Sequence, residues 1–255
     1  MSKTLFVTGA ASGIGKATAL LFGERGWRVG CYDVDVDGAR RVAEAIGAPG
    51  SSAHGRIDVT SEESWSTAIA DFVGHGAQLD VLFNCAGILR MGRFEDVGPT
   101  ECRKQLDVNV MGVILGIQTC LPLLERARGT VINMSSASAV YGQPELAVYS
   151  ATKFAVRALT EALDIELRPK GIRVADIMPG YVDTPMVSSQ KHRSASLQKL
   201  GIKLTPETIA ALVWKAVHGT GLHYIPQADV QLLSRLGGLL PELGRVVMRR
   251  IAKGS

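Results

Sequence analysis

Short apolar runs alternate along this chain with longer segments whose apolar residues have helical spacing. The apolar runs predict β-strands over residues 5–8, 28–33, 54–59, 79–84, 130–134, 173–177 and 223–225. The segments between them predict helices over residues 14–25, 38–46, 61–73, 100–124, 147–167 and 205–218. Asp37 is predicted to cap the second helix, and Pro206 to lie in the first turn of the last. Such alternation predicts an α/β fold, with a doubly wound parallel sheet of seven strands covered by helices on both faces.

Composition narrows the possible classes of function. No linker or composition break divides the 255 residues, so we interpret residues 1–255 as a single domain. Hydrophobic residues make up 46% of the chain, and the net charge of +4 is too small and too scattered to predict nucleic-acid binding. The cysteines show no metal-type pairing, so we expect free thiols in a reducing, cytoplasmic compartment. We expect neither a signal peptide nor a transmembrane helix, which would need an apolar run of roughly 20 residues.

A glycine-rich loop joins the first predicted strand to the first helix. It reads Thr8-Gly9-Ala10-Ala11-Ser12-Gly13-Ile14-Gly15. Glycines allow the backbone to approach a pyrophosphate, and the N-terminus of the following helix offers free N–H groups to the phosphates. The spacing is G-x-x-x-G-x-G rather than the usual G-x-G-x-x-G. A simple turn is the alternative, but the strand–turn–helix context favours a dinucleotide site.

Acidic and small residues follow the next strands. Asp33 ends the second strand, eighteen residues after Gly15. A carboxylate in this position accepts from the adenosine ribose hydroxyls and repels a 2′-phosphate. Further acids at Asp35 and Asp37, with no cation in the next few positions, favour NAD over NADP; the alternative is that Asp33 caps a turn. Further candidate cofactor contacts, or else ordinary strand-end turns, are Asp58, Val59, Asn84, Ala86 and Gly87.

Tyr149 and Lys153 carry the candidate chemistry. They lie four residues apart, so on a helix they share one face. A tyrosine, with a pKa of about 10, is a poor acid or base near neutrality, but a nearby ammonium group lowers that pKa. Ser136 lies thirteen positions upstream of Tyr149, and this spacing selects it over Ser135 and Ser138. No histidine lies near a nucleophile elbow and no metal-ligand spacing occurs, so we expect neither a Ser-His-Asp triad nor a metal.

These motifs together resemble the short-chain dehydrogenase/reductase family, in its single-domain Rossmann-type form, over nearly the whole chain. The resemblance implies that Tyr149 is the general acid in ketone reduction and the base in alcohol oxidation. Lys153 would lower the pKa of Tyr149 and hold the nicotinamide ribose, and Ser136 would hydrogen-bond the substrate oxygen. Asn109 is implied to hold a proton-relay water through its backbone carbonyl. The implied contacts to nicotinamide come from Pro179, Gly180, Val182 and Thr184. Cys85 stands where the family often has a second asparagine.

The family's variable regions suggest where a substrate binds. The candidate substrate contacts are Leu89, Met91, Val140, Tyr141, Leu146 and Tyr181. Their apolar character favours a hydrophobic substrate. Residues 187–204, rich in polar and basic side chains, are interpreted as a mobile lid. Residues 228–253 fit two short amphipathic helices, which would pack over the pocket or against another subunit, or, as the less favoured alternative, attach to a membrane surface.

The resulting prediction is an NAD(H)-dependent oxidoreductase that interconverts a hydrophobic secondary alcohol and its ketone. The family resemblance implies a homodimer or homotetramer built through the long helices. A non-catalytic dinucleotide sensor on the same fold is the alternative, although a sensor need not retain Asn109, Ser136, Tyr149 and Lys153. An epimerase or dehydratase is disfavoured, because such enzymes need a longer chain.

Overall fold

The fold is that of a computed structural model, which describes residues 2–47, 52–74 and 78–237, together with residues 246 and 249. Seven strands form one sheet: β1 Thr4–Thr8, β2 Arg28–Asp33, β3 Ser52–Arg56, β4 Val81–Asn84, β5 Thr130–Met134, β6 Arg173–Ile177 and β7 His223–Tyr224. The α-helices of the described residues are α1 Gly13–Glu24, α2 Val36–Ile46, α3 Glu62–Val73, α4 Pro99–Leu106, α5 Gly112–Ala127, α6 Ala147–Glu166, α7 Pro185–Ser188, α8 Ala195–Leu200, α9 Pro206–His218 and α10 Ala228–Gly237.

All the strand pairs are parallel, in the order β3-β2-β1-β4-β5-β6-β7. The chain therefore builds outward from β1 to β3, and then crosses back to place β4 on the other side of β1. At this reversal the connections after β1 and β4 leave toward opposite faces, which opens a crevice at the carboxyl ends of the strands. The predicted doubly wound sheet with helices on both faces is confirmed.

Each face of the sheet carries its own apolar core, because successive strand residues point to opposite sides. Leu5 and Val7 of β1 face one core with Phe22 of α1 and Val213 of α9. Phe6 faces the other, whose members include buried residues of α3, α5 and α6, namely Trp65, Phe72, Leu124 and Val156. Both faces of the sheet are thus closed to water, and the carboxyl ends of its strands are left for ligand binding.

Several predicted boundaries shift for identifiable reasons. β3 covers 52–56 rather than 54–59, because its partner β2 ends at Asp33, opposite Arg56. β4 begins at Val81 rather than at Leu79, whose N–H donates to the carbonyl of Leu123 instead. The cap of α2 is Asp35, not Asp37, since the Asp35 carboxylate accepts from the N–H of Gly38 at 3.0 Å.

The predicted long helix over residues 100–124 is a compound element. A π-helical turn, Asp107–Met111, joins α4 to α5. Of the described helices, this Pro99–Ala127 segment is the one long and apolar enough to cross a membrane by length and composition. Val113, Leu115 and Leu124 of this segment are buried against the sheet, whereas Leu106 and Met111 are exposed. The segment therefore serves as a core helix of the fold.

The first part of the predicted C-terminal segment contains one helix. α10 occupies Ala228–Gly237, within the two amphipathic helices predicted for residues 228–253. The rest of that segment lies outside the described residues, apart from 246 and 249. Just before α10, Gln227 accepts from the N–H of Gly180 at 2.7 Å, and Val230 packs near Met178. The start of the tail is therefore attached to the loop after β6.

A row of polar side chains crosses the second face of the sheet just below the strand ends. Asn84, Asn133, Asp176 and His223 occupy matching positions on β4, β5, β6 and β7. Asn84 Nδ2 donates to Asn133 Oδ1 at 2.9 Å, and His223 Nδ1 lies 2.8 Å from Asp176 Oδ1. Burial raises the pKa of Asp176, and the hydrogen bond and charge of His223 oppose that rise.

His223 forms the outer end of this row. Burial lowers its pKa, but the hydrogen bond and charge of Asp176 outweigh burial, so the net shift is upward. Two smaller effects oppose each other: the charge of Arg157 lowers the pKa of His223, and the charge of Glu161, 3.2 Å from His223 Nε2, raises it. A raised folded-state pKa stabilises the fold below the unfolded-state pKa, and that contribution is lost as pH rises through the folded-state value.

We therefore expect His223→Gln, which keeps a neutral donor, to reduce stability more at about pH 5.5 than at about pH 8.5. Chemical denaturation of both proteins at the two pH values measures the difference. A gap in unfolding free energy that is equal at both pH values, or larger at the higher one, would contradict this assignment.

Candidate active site

The glycine-rich loop between β1 and α1 is packed where only hydrogen fits. Gly9 has φ of 71°, and a Cβ there would lie 2.9 Å from the Cα of Ala86. A Cβ on Gly15 would lie 2.0 Å from the carbonyl oxygen of Gly9. The loop can therefore approach β4 and turn directly into α1, leaving the N–H groups of the first helical turn free toward the crevice.

Asp33 ties the end of β2 to this loop. Its Oδ2 accepts from the N–H of Ala11 and its Oδ1 from the N–H of Asp35, each at 3.0 Å. Asp33 also lines the central cavity. The cations on α2 are engaged with acids elsewhere: Arg40 with Asp37 and Glu44, and Arg41 with Asp35. The carboxylate is thus fixed in direction at the edge of the cavity.

Two of the predicted cofactor residues lie behind the cavity rather than in its wall. Thr8 Oγ1 accepts from the N–H groups of Cys85 and Ala86, each at 3.1 Å, and so joins the ends of β1 and β4. Asn84 is buried and bonded to Asn133. The predicted contacts that do line the cavity are Gly9, Ser12, Gly13, Ile14, Gly15, Asp33, Asp58, Val59, Ala86, Gly87, Ser136, Tyr149, Lys153, Pro179, Gly180, Val182 and Thr184.

Asp58 performs turn chemistry as well as lining the cavity. Its Oδ1 accepts from both the N–H and the hydroxyl of Thr60, at 3.0 and 2.7 Å. These hydrogen bonds lower the pKa of Asp58. The strand-end turn anticipated as an alternative is therefore present, and it holds the carboxylate ionised at the cavity edge.

Tyr149 and Lys153 meet Ser136 at the floor of the cavity. The two α6 residues lie on one face, with Lys153 Nζ 5.6 Å from the centre of the Tyr149 ring. Lys153 Nζ donates to the carbonyl oxygen of Met134 at 2.7 Å, which anchors it to the end of β5. The Ser136 hydroxyl accepts from the N–H of Ser138 at 3.1 Å. The structure therefore brings Ser136, Tyr149 and Lys153 together in the wall of one cavity.

Burial, rather than the lysine charge, dominates the protonation of this pair. Although Tyr149 is accessible from the cavity, the surrounding protein raises its pKa to about 12, and a hydrogen bond with Ser136 opposes the rise. Burial lowers the pKa of Lys153 to about 8, and the nearby Cys85 opposes this. The net shift of the Tyr149 pKa is therefore upward, because burial disfavours the charged phenolate. The lowering by Lys153 that the resemblance implies stays a prediction.

Asn109 lies in the π-helical turn and supports the site from behind. Its Oδ1 accepts from the N–H of Ile88 at 2.8 Å, and its Nδ2 donates to the carbonyl of Ile88 and to Thr152 Oγ1. The side chain therefore joins the loop after β4 to α6, close to Gly87. The proton-relay role implied for its backbone carbonyl stays a prediction.

The loop after β6 closes the cavity on its far side. Val182 forms a parallel bridge with Leu204, and the N–H of Asp183 donates to the Leu204 carbonyl at 2.9 Å. The segment between them, which contains the predicted lid 187–204, carries the short helices α7 and α8. Thr184 precedes α7, and its methyl group would lie 3.1 Å from a Cβ on Gly13. The lid thus begins beside the glycine-rich loop.

Two side chains, Gln190 and Glu145, join the predicted lid to neighbouring loops. Gln190 accepts from the N–H of Met91 and donates to the carbonyl of Leu89, which joins the lid to the loop after β4. Glu145 accepts from the N–H of Ala195 at 2.7 Å and lies 2.9 Å from His192 Nε2. These long-range contacts have no sequence signal, because each links residues dozens of positions apart.

The candidate substrate residues divide into two groups. Leu89, Leu146 and Tyr181 line a side cavity beside Ser136 and Tyr149, and Met91 is buried behind them in the same apolar cluster. Val140 packs instead near Met178 and Ile225, and Tyr141 does not line either cavity among the described residues. Val140 and Tyr141 therefore lie outside the walls of these two cavities, and substrate contact by either residue stays a prediction.

Comparison with known proteins identifies the family. The sequence profile of the short chain dehydrogenases matches residues 3–195. The chain belongs to the short-chain dehydrogenase family. A 3-alpha-(or 20-beta)-hydroxysteroid dehydrogenase of Mycobacterium bovis is 39% identical over 187 residues, covering 73% of this chain and 71% of that protein.

Two further comparisons extend the likeness of this short-chain dehydrogenase. The trans-4-hydroxycyclohexanecarboxylate dehydrogenase of Sinomonas cyclohexanicum is 35% identical over 196 residues, covering 74% of this chain and 76% of that one. A solved short chain dehydrogenase/reductase from Burkholderia phymatum, in complex with NAD, has a TM-score of 0.85 with 95% of each chain covered. At 23% identity this last likeness shows the fold alone.

The residues present fit a dinucleotide cofactor. The central cavity has a volume of about 970 Å³ and runs from the glycine-rich loop and Asp33 to Tyr149 and Thr184. A Cβ at Gly9 or Gly15 would collide with backbone, so the loop keeps its close approach for a phosphate group. The loop, the N-terminus of α1 and Asp33 would hold the adenosine and phosphate part, and Lys153, Val182 and Thr184 the nicotinamide part.

We expect Gly15→Ala to weaken NADH binding by about tenfold or more, because a methyl group 2.0 Å from the Gly9 carbonyl forces the loop to move. Titration of coenzyme fluorescence measures this. Gly98→Ala is the matched control, because a Cβ there meets no atom within 4 Å. The expectation fails if the two variants bind NADH equally well.

Proposed function

We propose that this short-chain dehydrogenase interconverts a secondary alcohol and its ketone with NAD(H), on an apolar cyclic substrate. The observation that carries the proposal is the convergence of the Ser136 hydroxyl, the Tyr149 phenol and the Lys153 ammonium on one cavity that also reaches the glycine-rich loop. The named relatives act on a hydroxysteroid and on a hydroxylated cyclohexane ring, which supports a cyclic alcohol as the substrate.

Tyr149 transfers the proton in this proposal. With its pKa raised to about 12, the phenol is protonated near neutral pH and can donate to a carbonyl oxygen as that oxygen gains charge. Ser136 lies beside it and hydrogen-bonds the same oxygen. Lys153, with its pKa lowered to about 8, can pass a proton near neutral pH to the site. A bound nicotinamide dinucleotide supplies or accepts the hydride.

NAD is the proposed cofactor because Asp33 presents a fixed carboxylate where the adenosine ribose would lie. A 2′-phosphate there would meet this negative charge, and the cations of α2 already pair with acids. The apolar walls formed by Leu89, Leu146 and Val187 support a hydrophobic ring in the adjoining space. The segment 187–204 then acts as a lid that excludes water from the reacting atoms.

The assembly and location of the protein complete the proposal. Exposed apolar side chains on the long helices support a homodimer or homotetramer, and they are Leu106, Met111, Phe154 and Ile165. The attachment of Gln227 to Gly180 supports packing of the tail near the pocket, rather than on a membrane surface. Four free cysteines support a reducing, cytoplasmic location.

We expect Tyr149→Phe to keep NADH binding while losing about 100-fold or more of its turnover, because only the transferable proton is removed. Steady-state reduction of cyclohexanone, with coenzyme fluorescence as the binding readout, measures both effects. Tyr141→Phe is the matched control, since Tyr141 lines neither cavity, and it should behave as the unmodified protein. Turnover by Tyr149→Phe at the rate of that control would refute the assignment.

We expect NADH to bind at least about tenfold more tightly than NADPH, and Asp33→Asn to narrow this preference by removing the negative charge. Titrations with both coenzymes measure the ratio. Glu63→Gln, which changes an exposed acid of α3 outside the central cavity, should leave the preference unchanged. Tighter binding of NADPH by the unmodified protein would show that the cofactor assignment is wrong.

A further inference from the structure

A small side cavity extends from the reaction centre away from the cofactor groove. It has a volume of about 50 Å³ and is lined by Ser136 and Tyr149 as well as by Gln143. One water molecule needs roughly 10–15 Å³ of such space, so this cavity accepts a substituent of only a few non-hydrogen atoms. A substrate whose reacting carbon lies at Ser136 and Tyr149 would place the opposite edge of its ring toward this space.

Gln143 brings an unmatched donor to this cavity. Its Oε1 accepts from the hydroxyl of Tyr181 at 3.3 Å and from that of Ser196 at 3.1 Å. The backbone N–H of Gln143 donates to Ser150 Oγ at 3.1 Å, which fixes the backbone at this residue. Within residues 2–47, 52–74 and 78–237, nothing accepts from Gln143 Nε2. The amide is therefore oriented by its oxygen, and its nitrogen is left to donate to a ligand.

The hydroxyls that orient Gln143 are themselves firmly held. Ser194 and Ser196 are buried, and each lies within 3.0 Å of the Tyr181 hydroxyl. The two serines are also 3.1 Å apart. A closed polar cluster thus holds Gln143 and Tyr181, which line the cavity together with apolar residues such as Leu146 and Val187. Such an arrangement selects ligands by hydrogen bonding rather than by size alone.

The charges around this cavity select against an anion. Its lining contains no lysine, arginine or histidine. Glu145, on the loop before α6, hydrogen-bonds Ala195 next to the serine pair. Burial raises the pKa of Tyr181, and the charge of Glu145 adds to this rise. A carboxylate in the cavity would find no cation in its lining. An uncharged oxygen accepts the Gln143 N–H without that penalty.

We propose that Gln143 is a specificity-determining residue that donates a hydrogen bond to a second, uncharged oxygen on the substrate, across the ring from the reacting carbon. The substrate class is then a cyclic ketone or alcohol that bears a second keto, hydroxyl or ether oxygen. This inference rests on the proposed alcohol–ketone oxidoreduction and adds which member of that class the site favours.

Three substituted cyclohexanones test the proposal: 1,4-cyclohexanedione and 4-methylcyclohexanone, which match in size, and the larger, charged 4-oxocyclohexanecarboxylate, each reduced with NADH. The unmodified protein should show the highest kcat/KM with the dione and the lowest with the carboxylate. Gln143→Met, which keeps the length of the side chain and removes the donor, should lower the ratio of kcat/KM for dione over methyl ketone by about tenfold. Gln198→Met is the matched control, as an exposed lid glutamine outside both cavities, and should leave the ratio unchanged.

The ratio within one variant cancels any general loss of folded or active protein. A Gln143→Met variant that loses activity equally on both ketones would show a structural role in the lid and overturn the proposal. A higher kcat/KM of the unmodified protein with the carboxylate than with the dione would overturn the proposal without any variant. So would a higher kcat/KM with the methyl ketone than with the dione, after each value is divided by that ketone's rate of reduction by borohydride. Failure to reduce any of the three with either coenzyme would instead refute the proposed function, and this inference with it.

Discussion

The close contact between the glycine-rich loop and the end of β4 is the constraint on which the site depends. Gly9 and Ala86 approach so closely that a single methyl group would separate them, and Thr8 fastens both amides of the β4 end with one oxygen. Because the connections that follow β1 and β4 leave toward opposite faces of the sheet, the crevice opens at the carboxyl ends of these strands. The cofactor groove is thus a direct result of backbone packing at the topological switch point.

Once that contact is made, the other groups fall into position from rigid elements. Lys153 is fixed by the Met134 carbonyl at the end of β5, and Asn109 ties the loop after β4 to α6. The site residues therefore sit on strand ends and helices whose own cores hold them in place. Only the lid depends on long-range side-chain contacts, chiefly those of Gln190 and Glu145.

The sequence predicted the parts of this structure that depend on local periodicity. Alternating strands and helices, the spacing from Ser136 to Tyr149 to Lys153, and the acid at Asp33 all follow patterns of a few residues. The boundaries of β3 and β4 could not be predicted, because they are set by where the neighbouring chain stops pairing. The packing of Val140 against Met178 and Ile225 could not be predicted either, because it joins residues far apart in the sequence.

The acid–base pair shows why residue type does not fix protonation. A lysine near a tyrosine suggests an easily ionised phenol, yet the protein around both groups disfavours their charged forms. Burial raises the pKa of Tyr149 and lowers the pKa of Lys153. The neutral phenol is therefore the favoured form of Tyr149 near neutral pH.

The polar row from Asn84 to His223 favours one register among the four strands that carry it. Parallel strands made almost wholly of aliphatic residues can slide by two positions and still present an apolar face. Here Asn84, Asn133, Asp176 and His223 lie level with one another on four neighbouring strands. A strand in the wrong register would place its amide or carboxylate among apolar side chains. Each hydrogen-bond partner lost in this way would cost about 1–3 kcal/mol. The same row lies one residue below Cys85 and Met134. The register of the central and edge strands therefore determines where Cys85 and Met134 lie in the wall of the cavity.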